Sequence, residues 1–483
     1  MRSVGSWFAL LAGGALLVAS SAFAAAPRVE AVQKRLGITR LSLQTLRLDS
    51  PARTVTLDLD GRRVMVRLER SSLRAPSFRV LVQTPDGALE ETPAPAPAGY
   101  RGTVDGMPGS VVGGTIRNGR LTAAIGLADG RVFYIEPLDQ PGSEPGAHIV
   151  YDAADVTDVE GVCGTTEPPV VVPEADGPGT AGAGPHVTEI AFDADYEYWQ
   201  ANGASVNATI ADIENVLAAV NVIYERDCDI THQITTIIVR TAPSDPYSTT
   251  SASGLLTQFR DHWNSAQTGV IRDIAHLMTG KNLDGGTIGI AYLAAICSGS
   301  RGYGLSQSRW ASVMSLRASL TAHELGHNWN ANHCDGVSPC NIMCSTINQC
   351  DGIGVPNFEP QGVNAIRNYA ATRSCLDTPR AAVAGPLPGG TVRFGPATPS
   401  VLTTETGTSL GFHLDRDMAV TLDVYDVAGH RVARLLAGVR PAGGHELVWA
   451  GRDDAGHAVK AGVYYARLAA SGTILTRKLI LLR

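Results

Sequence analysis

The 483-residue chain has no strongly basic block, and its net charge is −7. Nucleic acid is therefore not expected as its main partner, because phosphate backbones are gripped by clustered Lys and Arg. Beyond the N-terminus no apolar run approaches the ~20 residues of a membrane-spanning helix. Gly (52) and Pro (27) are plentiful but aperiodic, which excludes a collagen-like chain. No internal repeat is visible. Charged residues reach only 18%, against 44% hydrophobic residues, so the chain can bury real cores and is not globally disordered. At roughly 100–200 residues per domain, the length suggests about three domains.

What is present begins with an address. Arg2, the apolar run Trp7 to Ala19 and an Ala-x-Ala site ending at Ala24 read as a secretory signal peptide over residues 1–24. No Cys follows the apolar core, so no lipid anchor is expected. Export permits disulfides, which governs how the eight cysteines are read.

Residues 25–166 are β-like. Thr54 to Leu59 and Arg63 to Leu68 alternate in polarity, and Asp-Gly pairs at 60–61, 86–87 and 129–130 mark turns. Residues 167–185 are rich in Pro, Gly and Ala and read as a linker. Residues 186–378 are mixed α/β. Helical spacing runs over 207–226, 255–263 and 312–329, with strand patterns at 186–191, 230–240 and 287–296. A second Pro/Gly-rich linker is expected at 379–398. Residues 399–483 read as a β-sandwich of six or seven short strands.

The chemistry sits in the third helix. His323 and His327, four residues apart, share one helix face and can reach one metal ion. Glu324 is one residue round, placed to hold a water. His333 joins only if the helix stops and the chain turns near Asn330. Three neutral imidazoles suit Zn2+ and leave one coordination position open. Such a set hydrolyses peptide bonds by direct attack of water, with Glu324 moving the proton. Three histidines and a glutamate at these spacings arise by chance in roughly one chain in several thousand. A purely structural zinc site usually closes with four protein ligands, often thiolates.

The run His323 to His333 resembles the metzincin zinc signature, and its surroundings resemble the reprolysin (adamalysin or ADAM-type) branch. The resemblance implies a zincin-like α/β catalytic domain with a mixed sheet and an active-site helix. Asn330 stands where that family usually has Gly. Asn tolerates the left-handed backbone best among the other residues, so the turn is expected to survive. Cys334 stands where reprolysins commonly have Asp. Asn341 to Cys344 fits the family's Met-turn, which makes Met343 the residue packed beneath the imidazoles. The segment from Ala275 to Cys297 resembles the reprolysin edge strand above the cleft. By that resemblance Gly289, Ile290 and Ala291, on to Leu293, bind an extended substrate by strand addition. His276 reads as structural, because three histidines already complete the site.

Gly161 to Thr165 resembles the cysteine switch of reprolysin propeptides, and 100–106 and 134–138 also resemble that domain. The resemblance implies that Cys163 takes the fourth zinc position until the linker is cut. No dibasic furin-like site lies in the linker. Resemblance also implies a Cys297–Cys375 disulfide. Cys334, Cys340, Cys344 and Cys350 allow three pairings, and Cys228 is left over. A Cys163–Cys228 disulfide with no switch is the competing reading.

The C-terminal residues, from Leu410 through Val424 to His430 and Ala461 to Leu468, resemble the FlgD-like immunoglobulin-type domain. Engagement of secretion machinery or a cell surface is its expected role, with a plain spacer as the alternative. The sequence thus predicts a multidomain, secreted zinc endopeptidase, made as a zymogen and acting on protein or peptide substrates. No pattern specifies calcium. The alternative is an exported surface-binding or adhesion protein that keeps the metzincin fold. A missing Glu324 or histidine would favour it, and none is missing.

Overall fold

The computed structural model describes residues 29–48, 54–139, 143–157, 161–166, 186–347, 356–373, 375–376, 392–398, 401–403, 407–414, 417–427, 429–441, 443–470 and 473–482. The expected signal peptide and the 167–185 linker lie outside them, as does Cys350.

In the N-terminal domain, alternation dictates the fold. Thr54–Leu59 and Arg62–Arg70 bury every second residue. Eight antiparallel strands follow the order Ser42–Thr45, Ala147–Asp152, Val132–Pro137, Arg120–Gly126, Val111–Arg117, Gly99–Val104, Arg62–Arg70, Thr54–Leu59. Gln44 links the first strand to the last: its side-chain amide donates to the Asp58 carbonyl and accepts from the Asp58 N–H, both at 2.8 Å. Val55, Leu57, Val66, Leu121, Ile125 and Ile135 fill the inside. Among the described residues, a helix and the short 3₁₀ turn Ala153–Asp155 depart from the β-like expectation. Val29–Leu36 is a helix, anchored by the fully buried Val32, and is too short to declare itself by periodicity.

The central domain is built on a mixed sheet. Strands His186–Ala194, Ile230–Val239, Ile274–Met278 and Tyr303–Ser306 are parallel, and Thr287–Ala291 runs antiparallel to Tyr303–Ser306. Helices Val206–Cys228 and Met314–Asn328 pack on one face. Helix Ala252–Ala266 covers the other. The split follows side-chain alternation: Ile190 and Phe192 face the first pair, Ala191 the third helix. The long helix Val206–Cys228 starts at Ser205, whose hydroxyl accepts from the Ala208 N–H. It ends at Asp229, in the left-handed conformation. It is apolar and long enough by composition to cross a bilayer, contrary to the sequence reading. Its side chains instead form the middle of the core, because the sheet, the N-terminal domain and a second helix surround it.

Two boundaries differ from expectation. The strand expected over 287–296 stops at Ala291, because Ala294 and Cys297 take positive φ and turn the chain. The linker expected over 379–398 ends earlier: Val392–Thr398 is a strand paired with Thr408–Leu414, with Phe394 buried in the C-terminal core. Residues 377–391 lie outside the described set.

The sheet is also larger than one domain. Its full order is Thr346–Ile347, Gly161–Cys163, Thr287–Ala291, Tyr303–Ser306, Ile274–Met278, His186–Ala194, Ile230–Val239, Arg74–Gln83, Leu89–Thr92. Three of these nine strands come from the N-terminal region. Local pattern marks a strand but does not choose its neighbour.

The C-terminal domain packs a three-stranded sheet on a five-stranded one around Leu410, Phe412, Leu422, Val424, Trp449 and Leu468.

Candidate metal centre and cleft

The helix Met314–Asn328 delivers His323 and His327, both buried, to the cleft floor. It stops where expected. Asn330 has φ 73°, the Asn330 N–H binds the His327 carbonyl and the Ala331 N–H binds the Gly326 carbonyl, each at 2.8 Å. This left-handed exit swings His333 back. Nε2 of His327 lies 3.1 Å from Nε2 of His323 and 3.2 Å from Nε2 of His333.

Backbone carbonyls fix the tautomers. Nδ1 of His323 donates to the Ile342 carbonyl at 2.6 Å, and Nδ1 of His327 to the Ala331 carbonyl at 2.8 Å. A carbonyl only accepts, so Nδ1 carries the proton and Nε2 presents a lone pair. Burial and the neighbouring imidazoles hold His323 neutral, its pKa lowered to about 3, and push His327 well below its ordinary value. Lone pairs this close repel unless a cation lies between them. Neutral imidazoles with carbonyl-bound Nδ1 are the donor set that zinc takes. His323, His327, His333 and Cys163 offer ligand atoms within 4.8 Å of one another.

Glu324 is fully buried, and burial raises its carboxyl well above the ordinary range. Its Oε1 has no hydrogen-bond partner and Oε2 is 3.8 Å from Cys163 Sγ. A Cβ at Gly289 would strike this carboxylate, so Gly289 also makes room for Glu324. Gly326, between the two helical histidines, does the same for the turn below. A Cβ there would come within 2.6 Å of Met343 Sδ. Met343 is fully buried, its N–H donates to Glu359 Oε2 at 3.4 Å, and its neighbour Ile342 supplies the carbonyl that holds His323. Ile342 lies within the Met-turn motif, which does not announce the role of its carbonyl, and Glu359 carries no motif signal. Glu359 could have been suspected only as a carboxylate ahead of Pro360 at a helix start.

Residues 161–165 form a strap through the cleft. Gly161–Cys163 runs parallel to Thr287–Ala291, with Cys163 opposite Gly289, and antiparallel to Thr346–Ile347. The Cys163 N–H donates to the Ser345 carbonyl and the Gly164 N–H to the Gly289 carbonyl, both at 2.9 Å. The Thr165 hydroxyl donates to the Ala291 carbonyl and accepts from the Ala291 N–H, both at 3.1 Å. Cys163 Sγ lies 3.4 Å from His327 Nε2. Gly289, Ile290 and Ala291 lie on the strand that holds this strap; Leu293 lies past its end.

His276 stays outside the cluster, its Nε2 2.9 Å from Ser306 Oγ. Cys297 is bonded to Cys375, Cys334 to Cys340, and Cys344 is also disulfide-bonded. Cys163 and Cys228 are both free, so the alternative Cys163–Cys228 disulfide does not form. Residues 348–355, beyond the Met-turn, lie outside the described residues.

His323 and His327, buried on the helix, and the half-buried His333 beyond its end converge beside the buried Glu324 under a sheet edge and form a candidate metal centre. Residues 185–378 match the Reprolysin_5 family model, described as Metallo-peptidase family M12. Residues 398–473 match the FlgD Ig-like domain. The chain thus carries a metallopeptidase domain of a zinc-dependent family, a C-terminal all-β Ig-like domain and a β-rich N-terminal region. Protein or peptide substrates follow from the peptidase domain.

Proposed function

We propose that the chain is the proenzyme of a secreted, metzincin-type zinc endopeptidase. Residues 1–24 would direct export, 25–166 form the propeptide, 186–378 the catalytic domain and 399–483 an Ig-like module for secretion or surface attachment. The disulfides support an oxidising compartment.

His323, His327 and His333 would hold zinc through Nε2. The chemistry zinc supplies when bound is Lewis acidity, acting on water and on the scissile carbonyl. Glu324 takes the proton of the attacking water and passes it to the leaving amine. Its unpartnered Oε1 and its burial suit both halves of that task. The Thr287–Ala291 edge holds an extended peptide by main-chain hydrogen bonds. In the proenzyme Cys163 and the strap occupy that edge and the approach to Glu324. Cutting within 167–185 frees the strap.

The observation that carries this reading is the approach of His323 Nε2 and His333 Nε2 to His327 Nε2, at 3.1 and 3.2 Å, beside a buried glutamate. Glu324→Ala, folded and zinc-loaded, should lose about 10³-fold in peptide hydrolysis. Cleavage at the parent rate would sink the assignment.

A further inference from the structure

We propose that the body of the N-terminal domain, residues 29–157, is a permanent subunit of the mature enzyme, and that only the 161–166 strap is a removable regulator. This rests on reading residues 25–166 as a propeptide cut within 167–185.

The two parts are attached in different ways. The strap is held by a few main-chain and hydroxyl hydrogen bonds and by the Cys163 thiol. The body is built into the peptidase domain at four places. First, Arg74–Gln83 pairs in parallel with Ile230–Val239, with Val80 opposite Ile237 and Leu81 opposite Ile238. The central sheet thus continues into the propeptide without a break.

Second, the body and the peptidase domain share one hydrophobic core. Val80, Ala124, Val132, Tyr134, Ile149 and Tyr151 belong to the same buried cluster as Ile213, Val220 and Leu325. The helix Val206–Cys228 presses directly on strands Val111–Arg117 and Arg120–Gly126. A Cβ at Gly113 would lie 2.8 Å from the Ala218 carbonyl, and one at Gly126 2.9 Å from Val222. Such contacts have the density of a domain interior.

Third, Glu214 on that helix is buried, and both of its cations come from the propeptide. Arg74 Nε donates to Oε1 at 2.6 Å, and Arg117 donates to Oε2. Departure of the body would strand this carboxylate without a counter-charge, the costly half of a buried ion pair.

Fourth, the histidine-bearing helix has no cap of its own, because its N-cap residue is Val313. The propeptide supplies one. Glu136 Oε1 accepts from the Met314 N–H at 3.0 Å and from the Tyr151 hydroxyl at 2.6 Å, and the Ser315 N–H donates to Tyr151 Oη at 3.4 Å. Two free amides at the start of the zinc-binding helix are thereby satisfied from the other domain.

The test places a sequence-specific protease site within 167–185 of the full chain carrying Glu324→Ala, so that the chain's own activity plays no part. After complete cutting, gel filtration at about 1 µM should return both fragments in one peak. Separate elution in native buffer would overturn the proposal. Amide exchange in the cut chain should leave Met314 and Ser315 protected. Exchange at exposed-amide rates there would also overturn it. In the parent background the cut complex should hydrolyse peptides with the N-terminal fragment still bound. Activity confined to fractions that have lost the fragment would count against the proposal. If the fragment is retained and neither the complex nor the fraction freed of it cleaves peptide, the peptidase reading fails and the subunit stands; cleavage only by the freed fraction overturns the proposal.

Discussion

At the scale of single residues, Gly289 is the sharpest case. Its missing side chain leaves the space that the Glu324 carboxylate fills. Gly289→Ala should displace the proposed base without touching a histidine. In the activated enzyme, peptide hydrolysis should fall about 100-fold, as small misplacements of reacting groups do. Zinc content by atomic absorption should stay at the parent level, and loss of zinc would point to a different role.

Two histidines outside the cluster set an acid limit on stability. Burial lowers His232 and His276 to about 3, against an unfolded value of ~6.5. Between those values the unfolded chain binds protons that the native chain refuses. Their stabilising contribution is therefore whole above pH ~6.5 and drains away as pH falls, by ~1.4 kcal/mol per pH unit for each histidine. Urea unfolding at several pH values should show a shallower slope for His276→Gln than for the parent. An unchanged slope would refute the assignment.

At the scale of elements, the strap is a substrate-like strand held at both of its edges. Cys163→Ser removes the thiol but leaves the main-chain bonds. Thr165→Val removes both bonds to Ala291 but leaves the thiol. Each should raise the peptidase activity of the uncut chain only modestly, and the double variant should exceed the product of the two. Simple multiplication would mean that the strap does not act as a unit.

This element also shows where sequence reading succeeds and where it stops. The metal motif is legible because helix geometry is local: positions 323 and 327 must share a face whatever surrounds them. The turn at Asn330 is legible for the same reason, through the left-handed tolerance of one side chain. Arg74–Gln83 is different. It lies in the region read as β-like without being singled out as a strand, and its partner residues lie 157 positions away along the chain (Val80 opposite Ile237), beyond the reach of any local rule. The Glu136 cap is equally non-local, and nothing around Glu136 announces a helix start. The room made by Gly289 is steric, and sterics appear only once the fold exists.

At the scale of the whole molecule, the C-terminal sandwich has its own core, which includes none of the residues of the central cluster. Calorimetry should resolve a separate transition for it. The Cys297–Cys375 bond spans 78 residues of the peptidase domain alone. A loop of that size contributes about 4–5 kcal/mol by chain-entropy arguments. Reduction should therefore lower the peptidase transition and leave the sandwich transition in place. A common shift of both would mean that the two units melt together.

The long strand Ile230–Val239 has a further consequence. Its second half, Thr235 to Val239, is buried on both faces and is wholly β-branched. Natural sheet edges are blunted by charge, proline or a bulge, because an open ladder of amides recruits other chains. Thr235 to Val239 carries no charge and no proline, since Arg74–Gln83 covers it. A catalytic fragment produced without residues 29–157 would thus expose a sticky, amyloid-prone edge. Its first symptom would be precipitation, well before any defect in turnover could be measured.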